Sequence, residues 1–148
     1  MVSGESRDLL LRTARDPAKA ATAIAMASAL VASDTLLTSR LAILALLRRM
    51  VANDSTLSNA HYQIGKIAAI TGREPDAGVA SLNYYIRHPA ASGAPSHAAA
   101  YWRIGMIEER RSQIGRARAA YRAALELDPA FAAAREALAR IGNVPPSR

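Results

Sequence analysis

One segment constrains this chain more than any other: AAAYWRIGMIEERRSQIGRARAAYRAALELDPAF, Ala98 to Phe131. Apolar residues recur at helical spacing in two runs, which predicts one helix from about Ser96 to Arg111 and a second from about Gly115 to Leu127. A polar turn with Ser112 and Gln113 joins them. Tyr101, Ile104, Ile107 and Ile114 fall on the inner side of the first run and the turn, and Ala117, Tyr121, Ala124 and Leu125 on one side of the second. Gly105 sits mid-helix, where it costs about 1 kcal/mol relative to Ala, so a packing reason is expected. Gly105, Ala117 and Ala124 would let two antiparallel helices approach closely, with Tyr121 filling the space beside them. Asp128 and Pro129 end the second helix, because Pro lacks an amide hydrogen and is tolerated only in a first helical turn.

This arrangement resembles the tetratricopeptide repeat, whose signature runs aromatic, two residues, Leu-Gly, then Ala, three residues, aromatic, and a closing Pro. Tyr101, Ile104, Gly105, Ala117, Tyr121, Ala124 and Pro129 occupy the matching places, and Glu108 departs from them by standing where an aromatic is usual. A weaker copy spans 58–91, with His61, Ile64, Gly65, Gly72, Ala77 and Pro89 at the expected offsets and Ala68 at the place of the missing aromatic. Its second helix departs, since Ser81 and Tyr84 stand where an aromatic and an Ala belong. A shifted face using Val79, Leu82 and Ile86 is the alternative. The insertion SGAPSH lengthens the turn after Pro89, with Ser96 as the N-cap of the next helix.

Outside these copies, 16–54 reads as a divergent helical hairpin. Asp16-Pro17 starts a helix that runs to about Ala32, and a second runs from about Thr35 to Val51, with Leu37, Leu41, Leu44 and Leu47 at helical spacing. Ala25, Ser28 and Ala42 would permit close packing, and Arg40, Arg48 and Arg49 are expected outward. A short helix over Arg7 to Ala14 precedes it. Residues 130–141 read as a capping helix and 142–148 as a flexible tail. The expected fold is all-α, a single domain over 1–148: a short right-handed α-solenoid of antiparallel hairpins.

Composition agrees, because Ala and Leu dominate the 51% hydrophobic content while Phe, Trp and Tyr are few. The absence of Cys excludes disulfides, thiolate zinc sites and cysteine nucleophiles. Of nineteen basic residues only Lys19 and Lys66 are lysines, and the net charge of +7 is spread along the chain without a basic block. The Arg and Ala excess reads as the coding bias of a GC-rich, bacterial genome, and a nucleic-acid footprint is not favoured. No apolar run reaches the roughly 20 residues of a membrane span. Ala20 to Ala32 has the length of a leader's apolar core, but Glu5, Asp8 and Asp16 precede it. A cytoplasmic location is expected, with export as the alternative.

No enzyme, cofactor or metal is expected. His61, His88 and His97 lack metal-site spacing, and His61 is assigned to the aromatic place of its repeat. Glu108 and Glu109, adjacent on a helix, point about 100° apart and read as a solvated edge. The resemblance implies instead a protein-binding groove lined by the first helix of each hairpin. Carried over, its lining is Asn59, Tyr62, Lys66 and Ile70 in the first copy and Trp102, Arg103, Met106, Glu109 and Arg110 in the second. An aromatic beside cations and a Met suits a peptide or helix of acidic character. Family members that grip the C-terminal carboxylate of heat-shock chaperones use Lys and Asn on the first repeat, Asn on the second, and Lys and Arg on a third. The corresponding places hold Tyr62, Lys66 and Arg103, a third full repeat is missing and Glu136 has the opposite sign, so that activity is not expected. The rival readings are self-association through a Leu-rich face and a basic, nucleic-acid-associated protein.

Overall fold

The computed structural model describes residues 4–33 and 36–142, and they are all-helical, with no strand among them. Eight α-helices follow one another: α1 (Gly4–Thr13), α2 (Ala20–Ser33), α3 (Leu37–Asn53), α4 (Ser58–Thr71), α5 (Pro75–Ile86), α6 (His97–Arg110), α7 (Ile114–Leu127) and α8 (Ala132–Gly142). A short 3₁₀ turn, Pro17–Lys19, leads into α2, and the Asp16 side chain caps it by accepting from the Ala18 amide. Each helix packs on its neighbour in sequence. The α4/α5 and α6/α7 pairs are the most extensive, and α4 also lies against α2 and α6. The tail after Gly142 and the predicted start of α3 at Thr35 lie outside the described residues.

The α6/α7 seam follows from side-chain size. A Cβ on Gly105 would fall inside the ring edge of Tyr121, and Ala117, Tyr121 and Ala124 are all fully buried. The two helices therefore meet with one aromatic ring between them. Ser96 caps α6 by accepting from the Ala99 amide.

The α4/α5 seam uses the same device with different residues. A Cβ on Gly65 would overlap the Leu82 side chain, and one on Gly78 would overlap Ala68. Gly78, Leu82 and Tyr85 thus take the roles that Ala117, Tyr121 and Ala124 play in the next pair, so Ala77 and Ser81 are not the seam residues. The alternative face holds for Leu82, with Val79 and Ile86 partly buried beside it. Gly65 and Gly105 are forty positions apart, whereas Leu82 and Tyr121 are thirty-nine, which places one extra residue between Gly65 and its partner. Both connections are three residues long, so α4 absorbs it by running one residue further past Gly65 than α6 does past Gly105. Gly72 takes a left-handed φ of 72° and Glu74 one of 48°, with the Glu74 carboxylate held by Arg48 at 2.5 Å.

The N-terminal part departs further from expectation. Ala25 and Ala42 are exposed, while Ala23, Ala27, Ile24 and Val31 of α2 are buried against Ile43, Leu44 and Leu47 of α3. The segment weighed as a leader's apolar core is α2, and its inner face is part of this core. Leu37 is 42% exposed rather than packed. No helix among the described residues is long and apolar enough to cross a membrane.

The turn between α5 and α6 is tied down from both sides. The Tyr85 hydroxyl donates to the Pro95 carbonyl at 2.5 Å, and His97 Nε2 lies 2.9 Å from the His88 carbonyl. Burial pushes the Tyr85 phenol above its usual range.

Candidate partner-binding face

Residues one turn apart on a helix share a face, and Asn59, Gln63 and Lys66 do so on α4. Asn59 is exposed, Gln63 is buried and Lys66 is half-buried. Lys66 makes no hydrogen bond or ion pair among the described residues. Burial first, then the charges of Arg103 and Arg40, pull its ammonium below the usual lysine range. Arg103 comes from α6 and Arg40 from α3, so the charges of two other helices reach the Lys66 ammonium.

Arg103 lies over the ring of Trp102, its guanidinium carbon 4.2 Å from the ring centroid. Its Nη1 points at the Met106 sulfur at 3.5 Å, and its buried Nε has no hydrogen-bond partner. Trp102 is half-buried, with its ring edge-on to Phe131 at 5.8 Å, so one side of the indole is structural and the other carries Arg103. Arg40, expected outward, is half-buried: Nη2 reaches the Val31 carbonyl at 3.4 Å near the end of α2, and its buried Nε is also without a partner. None of the ion pairs among the described residues uses any of these three cations.

Four expected lining residues are otherwise engaged. Tyr62 is only 5% exposed, and its ring packs 5.2 Å from that of Tyr85, so it is a core residue and not part of a groove. Ile70 packs against the N-terminal core. Arg110 Nη2 donates to the Ile70 carbonyl at 3.0 Å, which places a cation on the last turn of α4, where carbonyls lack partners and the helix dipole is negative. Glu109 accepts from the Tyr121 hydroxyl at 2.8 Å and from both terminal nitrogens of Arg140, tying α6 to α7 and α8. The Arg140 hydrogen bond is the main reason the Glu109 carboxyl sits below the usual range, against the opposing effect of burial. Burial, and then the bond to Glu109, hold the Tyr121 phenol well above its own.

Glu108 is not a solvated edge either. It is 4% exposed, and its carboxylate faces Arg111 at 3.6 Å, which also pairs with Asp76 of α5 at 3.0 Å. His61 stacks on Tyr84 at 4.1 Å between ring centres, and Tyr84 stacks on His88 at the same distance. The three histidines are occupied by rings and carbonyls. Among the described residues no group of three or more His, Asp or Glu side chains is placed to hold a metal ion.

The face that remains is Asn59, Gln63, Lys66, Arg40, Trp102, Arg103 and Met106. Sequence reasoning missed Arg40 and Gln63. Gln63 carried a signal, since it lies between Asn59 and Lys66 on one helical stripe. No protein-family model matches the chain, and neither a curated protein nor a solved structure is found to match it.

Proposed function

We propose that this chain is a tetratricopeptide-like interaction module that holds an acidic segment of a partner protein against α4 and α6. The observation that carries this reading is that Arg40 and Arg103 act on the Lys66 ammonium from two other helices, while none of the three pairs with a carboxylate among the described residues. Like charges brought together and partly buried oppose folding, so an arrangement of this kind is better explained by a ligand than by stability. The half-exposed Trp102, under Arg103 and beside Met106, adds apolar area at the same place. The solenoid reading is supported by the repetition of one seam design, Gly65 with Leu82 and Gly105 with Tyr121.

A labelled acidic peptide and a neutral peptide of the same length test the proposal. The acidic peptide binds the wild-type chain, and the Lys66→Glu, Arg103→Glu double variant loses at least tenfold in affinity. Equal binding of both peptides, or no loss in the variant, overturns it. A nucleic-acid ligand is the competing outcome, recognised by a steep fall in affinity with salt set by many phosphate contacts.

A second reading, self-association through the N-terminal helices, has its own observation. Leu9, Leu11, Leu36 and Leu37 are 54%, 46%, 49% and 42% exposed. Light scattering of the purified chain distinguishes a monomer from a dimer.

A further inference from the structure

Helix α1 buries one residue, Leu10, which is 2% exposed and belongs to the N-terminal core. Around it the sequence is symmetric in position and opposite in charge. Leu9 and Leu11 stand one residue from Leu10, Asp8 and Arg12 two, and Glu5 and Arg15 five. The helical course continues past Thr13, since the Ala14 and Arg15 amides bond back to the Leu10 and Arg12 carbonyls. At 3.6 residues per turn, Glu5, Asp8, Arg12 and Arg15 all lie within about 40° of the direction opposite Leu10, and Leu9 and Leu11 lie about 80° to either side of it. The outward face of α1 is therefore a stripe of two acids followed by two bases, edged by two leucines.

All four charged residues are exposed, and none of them enters an ion pair with Asp, Glu, Lys or Arg among the described residues, except that Arg12 Nε donates to the Asp8 main-chain carbonyl at 3.4 Å. Leu9 and Leu11 are 54% and 46% exposed. Acids near the start of a helix and bases near its end complement the helix dipole, but that effect falls off within the first and last turns, and Asp8 lies beyond the first. Nor does it place all four charges on one face. Glu5 with Asp8, and Arg12 with Arg15, are like-charged neighbours one turn apart, from which a lone helix gains nothing.

The pattern is complementary to itself. A second α1 lying antiparallel, related by a two-fold axis at the level of Leu10, brings Glu5 level with Arg15 of the second copy and Asp8 level with its Arg12, and the reverse, so every charge on the stripe meets its opposite. The same axis sets the two Leu9 side chains beside each other along one edge and the two Leu11 side chains along the other, each pair about 3 Å apart along the helices at 1.5 Å per residue. A two-fold contact requires one patch that complements itself, and a parallel arrangement would set acid against acid and base against base.

We infer that α1 is the interface of a homodimer, in which two copies of this chain pair antiparallel through the stripe. The inference rests on the self-association reading and gives it a surface, an orientation and a register. Exposed ion pairs add little affinity, so the leucines supply the apolar area, while the charges exclude the parallel arrangement by setting like against like. The dimer carries two copies of the face on α4 and α6.

Sedimentation equilibrium of the full chain tests it. Wild type forms a dimer that weakens as salt rises. The double variant Glu5→Arg, Asp8→Arg makes the stripe wholly basic, and Arg12→Glu, Arg15→Glu makes it wholly acidic; helix content, checked by circular dichroism, stays that of wild type because all four positions are exposed. Each variant alone weakens the dimer at least tenfold, and an equimolar mixture recovers a dimer holding one chain of each. A third variant, Leu9→Gln, Leu11→Gln, keeps every charge and also weakens the dimer at least tenfold. Wild type that stays monomeric overturns both the self-association reading and this interface. A dimer that persists in both charge variants overturns the interface and leaves self-association through another surface. Charge variants that remain monomeric when mixed overturn the antiparallel pairing, and a dimer unchanged by the leucine variant overturns the leucine contacts.

Discussion

The ring of Tyr121 occupies the space that a side chain on Gly105 would need. That single exclusion brings α6 and α7 together and leaves the outer side of α6 to carry Trp102, Arg103 and Met106. The ring is also anchored at its far end, where its hydroxyl meets Glu109.

Gly105→Ala is therefore expected to destabilise the chain even though Ala is the better helix former. Overpacking a close seam costs about 1–3 kcal/mol, against a gain of about 1 kcal/mol in helix propensity. Urea unfolding followed by circular dichroism measures the balance, and a higher midpoint for the variant would count against the seam.

The register of α5 gives a second test. Leu82 is fully buried against Gly65, so Leu82→Ala is expected to cost about 2–5 kcal/mol. Ser81→Ala, at the place where a strict repeat would put its aromatic, is expected to change stability by less than about 0.5 kcal/mol. A reversed order in chemical denaturation would restore the unshifted register.

These two seams show how much was legible. Gly105, Ala117, Tyr121 and Ala124 could be read because helical spacing is local and their connection has the length the pattern assumes. Leu82 is harder to place from the sequence, because α4 runs one residue further past Gly65 than α6 does past Gly105, and a one-residue difference in where a helix ends leaves no strong signature in the spacing. Tyr62 and Trp102 are equivalents in the repeat pattern, yet Tyr62 is buried by Tyr85 from the following helix, whereas Trp102 stays half-buried between Phe131 and Arg103. Such differences arise from neighbours distant in sequence. Arg40 was assigned outward for the same reason: its half-buried place depends on the end of α2.

Acid should weaken the α6–α8 tie. The Glu109 carboxyl is held below its usual range by Arg140, so in the unfolded chain it takes up a proton first as pH falls. Its contribution is present above about pH 4.3, the ordinary glutamate value, and is lost as pH falls through the lower folded value. The stability difference between wild type and Glu109→Gln should shrink from pH 6 to pH 3. Arg140 is 62% exposed, so the ion pair itself is worth no more than about 1 kcal/mol. A difference that stays constant across that range would contradict this linkage.

Lys66 shows the opposite economy. Burial and the neighbouring arginines lower its folded pKa, so between the folded value and about 10.4 the unfolded chain holds more protons and stability rises with pH. Lys66→Met removes the repulsion and is expected to raise the urea midpoint at neutral pH while abolishing acidic-peptide binding. A variant that is both less stable and fully able to bind would show that the ammonium is structural.

The most direct measurement uses the chain's one tryptophan, Trp102, which lies beneath Arg103. Its fluorescence is followed during titration with a Glu-rich peptide at low and at moderate salt, for wild type and for the Lys66→Glu, Arg103→Gln variant. The account predicts a saturable change in wild type that weakens with salt and disappears in the variant. A flat titration in wild type, or an identical one in the variant, would contradict it.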